Sequence, residues 1–164
     1  MKNFNWSEFT KKIAIKCELS KIYSAWTVPN EIEAWFLSKA NFYRNDKNQI
    51  DDQDSVKKGD HYEWSWFLYD VIEKGMITEA NSVDHIQFTF AGTCIVDINL
   101  EEKENYVIVK LTQKKIPLDD DSKRGIRLGC ESGWSFFLLN LKSVYEGGLD
   151  LRNKDNNLIG MLNN

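Results

Sequence analysis

The sequence predicts an α+β fold in which one strand and two short helices precede a meander of antiparallel strands and a long C-terminal helix. Three observations carry this prediction. From Asp60 onward apolar residues recur with the period-two alternation of half-buried strands, and over residues 129–152 they recur at helical spacing. Pro29 divides the helical pattern that follows the first extended segment into two short pieces.

Residues 9–18 alternate loosely and read as the first strand, and Ser20 is positioned to cap a short helix over residues 21–27. Residues 30–36, just after Pro29, form the second short helix. Residues 45–58 hold almost no core-forming side chains and read as an exposed loop. Tyr62, Trp64, Trp66 and Leu68 then share one face of a strand, residues 71–80 make another, and Ile86, Phe88 and Phe90 lie on the next. Cys94, Val96, Ile98 and Leu100 form the apolar side of a further strand, opposite Thr93, Asp97 and Asn99, and residues 105–116 complete the run. Polar turns at Tyr69 and Asp70, at residues 81–84, at Ala91 and Gly92 and at residues 101–104 suit consecutive hairpins.

Pro117 and the acidic loop 119–122, where Asp121 or Ser122 is the expected cap, lead into the last helix. Its pattern starts near Arg127. Cys130, Trp134, Phe137, Leu138, Leu141, Val144 and Tyr145 fall on one face, and Gly147 and Gly148 supply the stop. No repeat or linker divides the chain, so one domain is expected over residues 1–164.

Hydrophobic residues make up 42% of the chain, the composition of a folded protein. Six Trp in so short a chain keep a ligand pocket in view, because aromatic rings line cavities as well as cores. The net charge of −4 and the absence of any basic stripe exclude nucleic acid and anionic membrane as main partners. The N-terminal MKNFNWSEFTKK has no apolar run, and no segment is long enough to span a bilayer, so no membrane insertion is expected. Cys17, Cys94 and Cys130 are odd in number and widely spaced, which suits buried thiols in a reducing compartment rather than disulfides or zinc. A cytoplasmic location is expected.

Three motifs carry a resemblance to a known family. The first is IYSAWTVPNEIEAWF, in which Ala25, Trp26 and Thr27 precede Pro29, and Trp35 and Phe36 follow on the second short helix. The second is GMITE from Gly75 leading to IQFTF from Ile86. The third is Gly133 with Trp134, then Leu141 with Lys142, then Gly147 and the tail Asp150, Leu151 and Arg152. Their order and spacing over residues 9–152 resemble the homologues of the heat-shock-protein 90 ATPase activator, in the START-like, or Bet v-like, SRPBCC superfamily. The resemblance implies a helix-grip fold: a curved antiparallel β-sheet wrapped around the long C-terminal α-helix, with a cavity for an apolar ligand between them. The long acidic loop 41–58, and Phe88-Thr89-Phe90 in place of a more usual ending in Trp, depart from the family pattern, so it transfers no particular ligand. Chaperone activation in the family is associated with an extra N-terminal domain, which this sequence is expected to lack, and a chaperone partner is therefore disfavoured.

The proposed cavity lining is Trp35, Phe36, Trp64, Trp66, Phe88, Phe90, Trp134, Phe137, Leu138 and Leu141. The same side chains would equally serve to fill the grip solidly, and Trp35 and Phe36 read more readily as plugs of one end than as a gate. His61 and His85 have no second ligand at metal spacing, and the acidic clusters Asp51, Asp52, Asp54 and 119–121 lack the pattern of a calcium loop, so no metal is expected. No catalytic serine elbow, phosphate loop or dinucleotide fingerprint occurs, and no cofactor is expected. Asp97, Glu63, Glu131 or Arg127 near a cavity would suit cyclase or hydratase chemistry, but nothing in the sequence selects one of them. Phe136, Leu139 and Ser132 point away from the main stripe, leaving two expectations open: cover by Phe4 and Trp6, or a homodimer. The reading that follows is a non-enzymatic binder of a small apolar or amphipathic ligand, with a protein-interaction or stress-response module and a cavity enzyme as alternatives.

Overall fold

The computed structural model describes residues 4–45 and 47–163. Met1–Asn3 of the N-terminal stretch, Asp46 of the polar loop and Asn164 lie outside the described residues. Strand β1 (Phe9–Ile15) leads into α1 (Leu19–Thr27) and α2 (Pro29–Trp35), followed by β2 (Lys39–Arg44) and the two-residue β3 (Asn48–Gln49). Strands β4 (His61–Ser65), β5 (Ile72–Ala80), β6 (His85–Phe90), β7 (Cys94–Lys103) and β8 (Tyr106–Lys114) then run as a meander. The chain finishes with α3 (Asp120–Ser122), a π-helical turn over Lys123–Leu128, and α4 (Gly129–Tyr145). All strands join one curved antiparallel sheet in the order β1-β8-β7-β6-β5-β4-β2-β3.

The architecture is the one the sequence predicts, and several details differ. Helix α1 starts at Leu19 after an extended Glu18, so Ser20 sits inside its first turn and is not the cap. Pro29 occupies the first turn of α2, where its fixed φ and missing N–H cost nothing, and Val28 before it is extended as a pre-proline residue prefers. Strand β2 was not anticipated. Only Ala40 and Phe42 mark its inner face, too little alternation to show in a sequence. The segment expected as an exposed loop over 45–58 contains β3, and it buries Ile50 and Val56. Val56 N donates to Thr27 O at 2.8 Å and Asn30 N to Asp52 O at 3.1 Å, which straps this segment across the junction of α1 and α2.

Tyr62 and Trp64 share the inner face of β4 as expected, but Trp66 and Leu68 lie beyond the strand, and Leu68 belongs to the turn that follows it, with φ +65°. Residues 101–103 are strand rather than turn, pairing with Ile108, Val107 and Tyr106. Glu101, Glu102 and Lys103 are all polar and exposed, so no apolar alternation marks them. The cap of α3 is Asp119, whose Oδ1 accepts from Ser122 N at 2.9 Å.

Helix α4 lays Trp134, Leu138 and Leu141 against the concave side of the sheet. It stops where predicted: Gly147 takes φ +82°, and Gly148 N donates to Ser143 O at 2.7 Å. The tail then returns to α2. Buried Arg152 donates to the carbonyls of Leu37 at 2.8 Å, Glu33 at 2.9 Å and Ala34 at 3.0 Å, closing the C-terminal end of α2. Asp150 holds the same guanidinium at 2.8 and 2.7 Å. Asn140 of α4 donates to Trp35 O at 2.6 Å and accepts from Leu151 N at 2.7 Å, so α2, α4 and the tail form one hydrogen-bonded knot.

Candidate functional site

At the end of the sheet where β4 and β6 finish, the chain leaves a cleft of about 380 Å³ against the first half of α4. Phe36 follows α2, Trp66 and Tyr69 follow β4, Val71 precedes β5, and Phe90 ends β6. The helical side supplies Gly125, Gly129, Cys130, Ser132, Gly133, Trp134, Phe136 and Phe137, and Leu162 of the tail reaches the rim with 93% of its surface exposed. The aromatic walls are in mutual contact: Phe36 lies 5.0 Å from Trp134, 5.5 Å from Trp66 and 4.8 Å from Phe137, and Phe90 lies 5.3 Å from Trp134. Such edge-to-face and tilted pairs fix one another's orientation.

The ten residues expected to line a cavity divide into two groups. Phe36, Trp66, Phe90, Trp134 and Phe137 line the cleft. Trp35, Trp64, Phe88, Leu138 and Leu141 are buried behind it in the core. Trp35 serves as a plug, donating its indole N–H to Ala25 O at 2.8 Å. Trp64 stacks on Tyr62 at 3.8 Å and meets Phe88 edge-on at 5.2 Å.

What the sequence reading missed is the helical floor. Gly125, Gly129 and Gly133 recur every four residues, which brings them onto one face of the last helical segment. None has a positive φ that would require glycine. A Cβ added at Gly125 or Gly133 meets nothing within 4 Å, and at Gly129 only Arg124 O at 3.9 Å. Each such glycine costs a helix about 1 kcal/mol relative to alanine. Here that cost returns only open space. The four-residue spacing stands in the sequence, but a glycine ordinarily signals a helix end, and the apolar helical pattern starts only near Arg127.

No acidic, basic or histidine side chain lines this cleft; its polar side-chain groups are the hydroxyls of Tyr69 and Ser132, the Trp66 and Trp134 indoles and the Cys130 thiol. Burial pushes the Cys130 thiol up to about 11, against an opposing contribution from Gln113. The thiol is therefore neutral at pH 7 and no nucleophile. Cys94 is fully buried, whereas Cys17 and Cys130 are half-buried, and all three are free thiols.

The charged residues considered for catalysis lie elsewhere. Asp97, on the outer face of the sheet, accepts from Gln87 at 3.3 Å and Lys114 at 3.2 Å and pairs with His85 Nε2 at 2.6 Å. Burial pulls its carboxyl upward, but these bonds outweigh it and hold the group below the usual carboxylate range. His85 opens strand β6 within this hydrogen-bonded network. Glu63 pairs with Lys74 at 2.6 Å, and Glu131 bonds Arg127 and, at 2.9 Å, Lys11. His61 is exposed on β4. Among the described residues no group of three or more His, Cys, Asp or Glu is placed to hold a metal ion.

Phe136, expected on the outer face of α4, turns into the cleft and lies 5.2 Å from Phe137. Phe4 and Trp6 pair at 4.6 Å and lie over Arg127 and Lys123. Leu139 stays 57% exposed.

A curved antiparallel sheet gripping a C-terminal helix, with an apolar cleft at one end of the grip, is the helix-grip architecture. Over residues 16–146 the chain matches the Activator of Hsp90 ATPase homolog 1-like protein family, and it belongs to that family. Solved structures show the same fold at low identity. The Aha1 dimer from Colwellia psychrerythraea matches with a TM-score of 0.67 at 20% identity, over 86% of this chain and 97% of that one. The protein SSP2350 from Staphylococcus saprophyticus matches at 0.68 and 19% identity, over 88% and 96%. DynU16, from the dynemicin biosynthetic locus, matches at 0.69 and 14% identity, over 90% of this chain and 50% of that one. No curated protein matches the sequence. Among the described residues no helix is long and apolar enough to cross a membrane.

Proposed function

We propose that this protein is a non-enzymatic binder of a small apolar or amphipathic molecule, held in the cleft between the sheet end and α4. The observation that carries this reading is the glycine floor: open space at Gly125 and Gly133, facing walls of Phe36, Trp66, Phe90 and Phe137. The cleft volume of about 380 Å³ falls within the usual range for small-molecule sites. Hydrophobic burial supplies the affinity, less the cost of immobilising the ligand. Cyclase or hydratase chemistry finds no support in the cleft, whose lining offers no carboxylate or histidine to move a proton. Titration with N-phenyl-1-naphthylamine tests the reading: saturable fluorescence enhancement is expected, and its absence, together with no co-purified small molecule in native mass spectrometry, refutes it.

Family membership supports a second reading, a protein-interaction module of co-chaperone type. A chaperone pull-down abolished by surface substitutions but insensitive to cleft substitutions would favour it. The exposed Leu139 and the dimeric Colwellia relative support a homodimer in either case. The free thiols suit a reducing compartment such as the cytoplasm.

A further inference from the structure

We infer that the tail loop, residues 153–163, completes the ligand site: it closes over a molecule held in the cleft and packs Leu162 against it. The inference rests on the proposed role of the cleft as a ligand site and adds a wall that the sheet and α4 do not supply.

Leu162 lines the cleft yet keeps 93% of its surface in water, so it adds nothing to the fold by burial. It does not stand alone, because Leu158, Ile159 and Met161 of the same loop are exposed as well. Single apolar residues scattered on a surface need no explanation, whereas a cluster of them beside an apolar cleft marks a surface that something covers. Tyr69 and Val71, which line the cleft from the segment between β4 and β5, are also exposed. The rim of the cleft therefore holds apolar groups in water on both the tail and the sheet side.

The loop is closed at its neck. Asn153 N donates to Asn163 O at 2.6 Å, and Asn163 Nδ2 donates to Leu151 O at 2.6 Å. Bonds between its own residues shape the first half, where Asp155 N donates to Asn153 Oδ1 at 3.0 Å and Leu158 N to Asp155 O at 2.9 Å. Gly160 turns the second half through the left-handed region, at φ +80°. A compact loop with its ends joined is an Ω-loop, and its tip can shift while its neck stays fixed. The neck is fixed here: Arg152 belongs to the buried knot, and Arg152 and Lys154 lie over the Phe67 ring at 5.2 and 5.0 Å. Phe67 adjoins Trp66, so the neck is anchored to the segment that forms one wall of the cleft.

The force that closes the tip comes from the ligand. The floor at Gly125 and Gly133 offers open space, so Leu162 folded inward over it would find few atoms to pack on. An apolar body in the cleft supplies those atoms, and Leu162 then loses water along with Tyr69 and Val71. A ligand moves such an equilibrium only through contacts that differ between the two states, and the Leu162 contact is that difference.

N-phenyl-1-naphthylamine on the intact protein is the probe. Leu162→Ser should melt within about 2 °C of the parent, since the side chain it removes is already solvated, and should bind the dye about tenfold more weakly through faster dissociation. In the unmodified protein, chymotrypsin cleavage within residues 158–162 should slow at least about fivefold at saturating dye, with cleavage after the exposed Leu118, outside the cleft lining, as the reference. Unchanged cleavage at saturating dye, or dye affinity of Leu162→Ser within about twofold of the parent, overturns the role of the tail loop and leaves the ligand site standing. Failure of the parent to bind the dye overturns both. Protection brought by rising protein concentration or by phosphatidylcholine vesicles, but not by the dye, assigns the tip to a second copy or to a lipid surface and likewise overturns the inference. The protease result on the unmodified protein decides the question even if Leu162→Ser folds poorly.

Discussion

Gly133 stands in the second turn of α4 with an ordinary helical backbone, and a Cβ built on it meets nothing within 4 Å. The substitution Gly133→Leu therefore has two consequences of opposite sign. Helix propensity favours leucine over glycine by about 0.8–1 kcal/mol. The new side chain enters the cleft beside Trp134 and Phe137 and gains some burial there, so a net stabilisation of about 1 kcal/mol is expected, or about 2–4 °C in melting temperature for a chain of this size. The same isobutyl group occupies the space a ligand would use, and N-phenyl-1-naphthylamine affinity should fall at least about tenfold, the equivalent of about 1.4 kcal/mol. Gly148→Ala is the control: its Cβ would meet Ser143 Oγ at 2.7 Å and Ser143 O at 2.8 Å, so the helix end must shift and stability should drop. Paired thermal melts and dye titrations of the two variants settle the matter. A Gly133→Leu protein that is destabilised, or that binds dye within about twofold of the parent, refutes the view of Gly133 as cleft floor.

Other expectations follow from the same geometry. Arg152→Met removes a guanidinium with 4% of its side chain exposed and strands Asp150 and the α2 carbonyls; a loss of about 3–5 kcal/mol in urea unfolding is expected, and under about 1 kcal/mol would show the knot to be dispensable. Burial pulls the Asp150 carboxyl up, but Arg152 and Lys154 outweigh it and hold the group well below the usual range. Its stabilisation is thus fully present above the unfolded value near about 3.9 and is lost as pH falls below it, a slope that Arg152→Met should flatten. Gly75→Ala brings a methyl within 2.5 Å of Tyr62 Cζ and 2.6 Å of Thr89 Oγ1, where the Tyr62 hydroxyl already bonds Thr89 O, and should cost about 1–3 kcal/mol by the same unfolding assay. Iodoacetamide labelling of Cys130, followed by peptide mass spectrometry, should keep rising toward pH 11, and a plateau near the ordinary thiol value of about 8.5 would contradict its burial.

Much of the fold was legible because periodicity records burial directly. Trp134, Leu138 and Leu141 on α4, and Cys94, Val96 and Ile98 on β7, face inward as their spacing requires. Strand β2 escaped because only Ala40 and Phe42 mark its inner face, and residues 101–103 because all three are polar and exposed. The cleft was half legible. Phe36, Trp66, Phe90, Trp134 and Phe137 were identified by residue type, but type alone does not separate a wall from a core, and Trp64, Phe88 and Trp35 carry the same aromatic signal.

The C-terminal end of α2 explains why space opens where it does. At Trp35 the helix is tied down by Asn140, and Arg152 closes its last carbonyls, so no side chain there is free to move aside. One residue further on, Phe36 points away from that knot and meets Trp66, Trp134 and Phe137. In mid-grip, Trp64, Phe88, Leu138 and Leu141 fill the concavity at the density of a protein interior. Toward the N-terminal end of α4 the strands β4 and β6 have already ended, at Ser65 and Phe90, and the helix offers glycines where core side chains would be needed to meet them. Rigid walls beside an unfilled floor are what an apolar site needs, since the ligand then bears little cost for reorganising its host. The knot at Trp35 and Arg152 is thus the support of the cleft as well as a lock on the fold, and loosening it should weaken dye binding along with stability.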